Sequence, residues 1–302
     1  MNLNHLAVFH AVAEEGSVSR GAERLHVSQP AVSKQLRELE RSLGMALFYR
    51  LSTGVRLTNA GQLLWTYSKQ LFALETEAEG AMHDLRELRR GTLTVGASTT
   101  IGSYLLPDIC AAYSTLYPGI SLRLEINNTV HTIKLLLDNA VDLALTEGFV
   151  ELPHLTAETF LQDKIVAVTA PNHPLAQKEA VSLGELADFP LILRECGSGT
   201  REVVERALVE RDITIAPAMT LGHTEAIKRA VVGGAGWAFL SRLAVEHEAK
   251  TGRLHILQVE GWEVQRPFHR LKLSDKYEGR AVREFLRMLR AGVSALDSKA
   301  AW

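Results

Sequence analysis

Two apolar helical patterns, separated by a break too short for anything but a tight turn, constrain this chain more than any other feature. Ser17 to Leu43 reads SVSRGAERLHVSQPAVSKQLRELERSL. Val18, Ala22 and Leu25 recur at helical spacing; Val32, Leu36, Leu39 and Leu43 do so again on one face of a second helix. Ser28 stands where it can cap that helix, and Pro30 lies in its first turn, where a missing N–H costs little. The opposite face carries Gln29, Ser33 and Arg37, with Lys34 beside them. An amide, a hydroxyl and cationic groups on one stripe suit base edges and phosphates together. This is a helix-turn-helix pattern. A solvated surface helix shows the same two stripes, so the stretch alone leaves both readings open.

The flanks extend the pattern. Leu3 to Glu14 is expected to be a supporting helix with Leu6, Phe9 and Ala13 inward, ended by Gly16-Ser17; Gly44 closes the second helix of the pair. Ala46–Arg50 and Val55–Leu57 read as two short strands about Ser52-Thr53-Gly54, a hairpin or wing. Arg50 and Arg56 flank its tip, placed to meet phosphates or simply solvated. Thr58 then opens a long helix to about Arg89. Its apolar positions are Leu64, Tyr67, Leu71, Leu74, Ala78, Ala81, Leu85 and Leu88, in steps alternating three and four. So regular a 3.5 period is what a self-pairing seam needs, although a helix packed on its own chain also shows an apolar stripe. At 1.5 Å per residue it would span on the order of 45 Å.

After Gly91 the pattern changes to short apolar strands alternating with helices. Strands are expected at Leu93–Ala97, Leu122–Ile126, Leu143–Leu145, Ile165–Thr169, Leu191–Leu193, Met219–Leu221, Trp237–Leu240 and Phe268–Leu273. This βαβ alternation predicts parallel sheets covered by helices, and about 210 residues divide best into two α/β lobes. Ligands of such sheets bind beyond strand carboxyl ends, near helix N-termini. Three places there are rich in hydroxyls and glycine: Ser98-Thr99-Thr100-Ile101-Gly102, Thr146, and Arg194-Glu195-Cys196-Gly197-Ser198-Gly199-Thr200-Arg201. Glycines admit backbone N–H groups, hydroxyls add donors, and a helix dipole favours negative charge. The predicted ligand is a small anion, although ordinary helix capping would explain any one loop.

Other classes find little support. The net charge of −2 gives no global basic excess, and residues 1–60 hold seven basic against five acidic side chains, a net of +2. Cys110 and Cys196 offer no disulfide framework or zinc spacing, and the eleven histidines lack ligand spacing. Gly197-Ser198-Gly199 is not a nucleophile elbow. No convergent nucleophile–base pair appears, so an enzyme is not expected. No signal-peptide core and no run of about 18 apolar residues appears, which argues against a solute-binding protein or membrane association and for a cytoplasmic location.

The whole chain resembles the LysR-type transcriptional regulators. The specific parts are AERLHVSQPAVSKQLRELERSLGMALFYR (Ala22–Arg50), VRLTNAG (Val55–Gly61) and LTVGAS at the start of the second region. The resemblance implies an α/β multidomain protein: an all-α winged helix-turn-helix (1–58), a long dimerising linker helix (59–90), and a two-lobed effector domain like the periplasmic binding proteins (91–302). Residues 91–162 and 265–302 would form one lobe and 163–264 the other, with the chain crossing near Leu161–Lys164 and Gly261–Gln265. It implies DNA contacts at Gln29, Pro30, Ser33, Lys34, Arg37, Arg50 and Arg56. Effector contacts would fall at Ser98, Thr99, Thr100, Thr146, Ser198, Gly199 and Thr200, and dimerisation at Leu64, Tyr67, Leu71, Leu74, Leu85 and Leu88. No cofactor or metal is implied. The expected partners are double-stranded promoter DNA, a small-molecule effector, further copies of the chain as dimer or homotetramer, and RNA polymerase. Two features depart from the family: Gly21 replaces a usual alanine and should slightly weaken its helix, and Ser52-Thr53 fills a wing tip that is often basic. The RECGSGTRE segment (Arg194–Glu202) is similar to a branch tied to sulfur and other anion metabolism.

Overall fold

A computed structural model describes residues 2–51, 54–84, 91–150, 152–153, 155–273 and 276–299. Leu85, Leu88 and the hairpin tip Ser52-Thr53 lie outside the described residues. The chain forms two compact units, Met1–Met82 and His83–Trp302.

The first unit contains α1 (Leu3–Glu15), α2 (Val18–Arg24), α3 (Gln29–Leu43), a hairpin of β1 (Phe48–Leu51) and β2 (Gly54–Leu57), and the long α4 (Asn59–Asp84). Leu6, Phe9, Val12, Ala22, Val32, Leu36, Leu39 and Leu47 form its core, as the helical spacing requires. Gly16 and Gly44 both take left-handed φ, ending α1 and α3. Ser17 caps α2 by accepting from the Arg20 amide, and Thr58 accepts from Gly61 at the start of α4. Ser28 differs from expectation: it stands at the N-cap of α3 in extended conformation but its side chain makes no cap bond. Gly21 is more than a weak helix residue. A Cβ there would lie 2.7 Å from Cγ2 of Val12, so glycine is what lets α1 and α2 approach this closely.

The second unit is a mixed sheet. Among the described residues its order is β4-β3-β5-β11-β6-β9-β7-β8, with β10 beside β6. The strands are β3 (Gly91–Ser98), β4 (Ile120–Asn127), β5 (Leu143–Glu147), β6 (Leu155–Thr169), β7 (Leu191–Arg194), β8 (Pro217–Leu221), β9 (Trp237–Ser241), β10 (His255–Leu257) and β11 (Gln265–Leu273). The helices are α5 (Leu106–Leu116), α6 (Thr129–Leu137), the short α7 (Leu183–Ala187), α8 (Gly199–Val209), α9 (Thr224–Val232), α10 (Arg242–Lys250) and α11 (Arg280–Lys299).

The parallel pairs expected from βαβ alternation are present as β4-β3-β5 and β9-β7-β8. Between them run two long antiparallel strands, β6 and β11, which join the halves. β6 pairs with β11 up to Lys164, then with β9 from Ile165 onward. The Ile165 amide donates to Val264 O where the chain returns. Each half carries its own core, one around Leu93, Val95, Tyr113 and Phe285, the other around Leu191, Val204, Trp237 and Phe239. The sequence showed only the last third of β6. Residues Thr156–Phe160 are exposed or half-buried without alternation, because this part of the strand is held by β11 rather than by a covered face.

Candidate functional site

The first unit presents the polar stripe of α3. Val32, Leu36 and Leu39 face the core, which turns Gln29, Pro30, Lys34 and Arg37 to solvent, with Ser33 half-buried. Arg37 Nε donates to Ser33 O one turn back, and Lys34 lies 3.9 Å from Glu38. These exposed contacts are weak enough to be exchanged for phosphates. On the hairpin Arg50 and Arg56 are both exposed; Arg56 lies 5.4 Å from the Tyr49 ring centroid. The Val55 amide donates to Gly16 O, which fixes the hairpin against the α1–α2 turn.

Along α4 the predicted seam divides. Leu64, with Trp65 and Phe72, packs into the core of the first unit. Tyr67, Leu71 and Leu74 are exposed, joined by Leu63 and Met82. His10 of α1 sits against this helix, stacked on Trp65 at 4.6 Å, edge-on to Phe72, its Nδ1 3.0 Å from Ser68 Oγ. Burial lowers its pKa; Glu14 opposes this, while Arg24 and Lys69 add to it.

In the second unit the hydroxyl-rich loops converge where the two halves meet. Gly199, opening α8, approaches β5 so closely that a Cβ would collide with Glu147 O and Thr129 Oγ1. The Val130 amide donates to Gly197 O across the same gap. Three of the predicted hydroxyls meet one carboxylate: Ser98 donates to Glu147 Oε2 at 3.0 Å, and Thr100 and Thr200 each donate to Oε1 at 3.2 Å. Behind them lies Arg266 at the start of β11, fully buried. Its Nη1 reaches Thr200 Oγ1 at 2.6 Å and Glu147 at 2.9 Å; its Nη2 reaches Thr100 Oγ1 at 3.0 Å. Nε and Nη2 both lie 2.9 Å from Asp163 Oδ2 on β6. Burial pushes the Asp163 carboxyl above its usual pKa, against the pull of Arg266.

Thr99 belongs to a second cluster. Buried Arg194, at the end of β7, donates from Nη2 to Thr99 Oγ1 and from Nη1 to Thr224 Oγ1, and forks onto Glu195. Among the described residues, Ser198 Oγ and Thr146 Oγ1 are buried with no hydrogen-bond partner. Thr146 lies on the opposite face of β5 from Glu147, by strand alternation. The two halves are also bridged by Tyr104 donating to Glu225 at 2.6 Å, with buried Lys228 between Glu225 and Glu248. Burial works to raise the Glu225 pKa, but bonds from Lys228 and Tyr104 outweigh it and hold it low.

Sequence reasoning did not single out Glu147, Asp163 or Arg266. One signal was available: Leu143–Glu147 is an apolar strand interrupted by a charge, and a carboxylate in a fully buried strand needs a partner.

Comparison with known proteins agrees with this architecture. Residues 3–62 match the family model "Bacterial regulatory helix-turn-helix protein, lysR family", and residues 86–294 match "LysR substrate binding domain". The RuBisCO operon transcriptional regulator of Allochromatium vinosum is 38% identical over 269 residues, 89% of each chain. The regulatory domain of CcmR from Synechocystis PCC6803, solved in complex with 2-PG, is 29% identical with a TM-score of 0.62, covering 67% of this chain and 97% of that one. A full-length OxyR variant from Pseudomonas aeruginosa shares the fold, with a TM-score of 0.73 at 24% identity over 97% of this chain and 94% of that one. The chain therefore belongs to the LysR family: it is a DNA-binding transcriptional regulator with an effector-binding domain, not an enzyme.

Proposed function

We propose that this regulator senses a small anion bound where the two halves of its effector domain meet. The observation that carries the reading is the buried Ser198 hydroxyl, without a partner among the described residues, at the N-cap of α8, an eleven-residue helix. A buried orphan donor beside free helix N–H groups is the arrangement an anion satisfies. Ser98, Thr99, Thr100, Thr146, Gly199 and Thr200 complete the proposed effector set. CcmR, the relative solved with 2-PG, makes 2-phosphoglycolate the first probe.

On this reading residues 1–58 bind promoter DNA, 59–90 pair two chains, and 91–302 sense the effector, with lobes of 91–162 plus 265–302 and 163–264. Gln29, Pro30, Ser33, Lys34 and Arg37 enter the major groove, while Arg50 and Arg56 hold the backbone. Tyr67, Leu71 and Leu74 form the exposed part of the seam, and Leu64 anchors the helix to the DNA-binding unit. Pairing of dimers into a homotetramer, contact with RNA polymerase, and action in the cytoplasm complete the proposal. None of the described helices is long and apolar enough to cross a membrane.

Effector binding needs to bias the DNA-bound state by only about 1–3 kcal/mol to regulate transcription. Isothermal titration of the full chain with 2-phosphoglycolate, inorganic phosphate and sulfate tests the anion. Saturable binding that Ser198→Ala weakens supports it; no binding of any of the three, or equal binding by the variant, contradicts it.

A further inference from the structure

Beside the unpartnered Ser198 hydroxyl, three of the donors proposed for an incoming anion are already engaged. Ser98, Thr100 and Thr200 all donate to Glu147, and Arg266 adds an ion pair. The Glu147 carboxylate thus occupies a ring of three hydroxyls and one guanidinium, the coordination a compact oxyanion would seek. We propose that Glu147 is the specificity-determining residue of this junction: its carboxylate is a resident stand-in that the effector's anionic group must displace.

The need to neutralise Arg266 does not by itself account for Glu147. Arg266 is already engaged through Nε and Nη2 by Asp163, so one guanidinium faces two carboxylates. Neutralising Arg266 requires only one of them. The second negative charge is an addition that burial makes expensive. The same geometry makes displacement feasible. If Glu147 leaves, Arg266 keeps its Asp163 partner and is not orphaned. The residue that follows, Gly148, has φ +89°, a left-handed conformation that favours glycine, at the point where β5 meets Gly199.

The ligand class follows from the donor set. A phosphate, sulfur oxyanion or carboxylate group fits three hydroxyls and one guanidinium; a neutral or cationic ligand does not compete with the carboxylate already there. Displacement also links occupancy to shape. Thr200 belongs to α8 on one half, while Ser98 ends β3 and Thr100 follows it on the other, so Glu147 helps hold the halves together. An effector that takes its place replaces that link with its own.

This inference rests on the anionic-effector reading, and its test separates the two. Full-length wild type, Glu147→Gln and Glu147→Asp are titrated calorimetrically with 2-phosphoglycolate, inorganic phosphate and sulfate. An uncharged amide in place of the carboxylate would be a weaker competitor, so E147Q is expected to bind the anion about tenfold more tightly than wild type, following the rise in the competent fraction. E147D keeps the charge beside Arg266 but falls short of the hydroxyls, so it guards against a folding defect and is expected to tighten binding by a smaller factor. Wild-type binding that neither variant tightens overturns the role of Glu147 and leaves the anion reading standing. No binding by any of the three proteins overturns both.

Discussion

Arg266 on β11 and Glu147 on β5 form an ion pair of 2.9 Å in which neither side chain is more than 2% exposed. Buried pairs of this kind add little net stability when intact, because desolvation offsets the attraction, but breaking one side is costly. Arg266→Met would leave Glu147 and Asp163 facing each other without a cation. It is expected to destabilise the effector domain by about 3–5 kcal/mol, read from urea unfolding of the full chain. Arg266→Lys should recover only part of this, since an ammonium cannot fork onto Asp163. A loss under about 1 kcal/mol would show that the network relaxes without its cation.

The His10 ring between Trp65 and Phe72 makes the first unit sensitive to acid. Its folded pKa lies below the usual 6.5 because burial disfavours the charged ring. The unfolded chain therefore binds a proton first as pH falls. Stability from this group is complete above 6.5 and declines as pH drops below that value toward the folded pKa. His173 and His269 are also lowered by burial, so the diagnostic is a difference. His10→Phe should flatten part of the decline in melting temperature between neutral and mildly acidic pH. Parallel profiles for variant and wild type would remove His10 from the account.

Pairing through α4 is tested at Leu71. A glutamate there would put a charge into the proposed seam, while Leu64, Trp65 and Phe72 keep the helix docked on its own core. Leu71→Glu is expected to shift sedimentation toward smaller species with an unchanged circular dichroism spectrum. An unaltered distribution would place the pairing surface elsewhere.

On the recognition helix, Arg37 and Lys34 should separate by role. Arg37→Ala is expected to weaken specific binding about tenfold or more and relax sequence preference, as loss of a base contact does. Lys34→Ala should weaken all duplexes alike and reduce the salt slope by about one. Equal behaviour of the two variants in anisotropy titrations at several salt concentrations would contradict these assignments.

The extent to which the sequence foretold this molecule varies by element, for physical reasons. The helix pair and the glycines that end its helices were legible because their signals are local: Val32, Leu36 and Leu39 repeat at helical spacing, and Gly16 and Gly44 end α1 and α3 where left-handed backbone is needed, whereas the Ser28 cap expected from residue type is not made. The hydroxyls gathered at the junction of the halves were legible as a class, since they follow strand ends. Their partners were not. Glu147, Asp163 and Arg266 lie on three strands brought together only by the antiparallel pairing of β6, β5 and β11. No spacing along the chain encodes that meeting. Gly21 shows the same limit: its value lies in the approach of Val12, not in helix propensity. The fate of Leu64 follows similarly, because a single apolar stripe cannot say which of its members face the chain's own core.

Under the proposed function, an anion bound at the junction of the effector domain's halves alters how the regulator engages DNA. The direct measurement is DNase footprinting of the full-length protein on the DNA upstream of its own gene, at fixed salt, with and without 2-phosphoglycolate. Two protected half-sites are expected, with protection at one of them extended or shifted by the anion. A footprint unchanged by an anion that calorimetry shows to be bound, or protection no stronger than on an unrelated duplex, would contradict it.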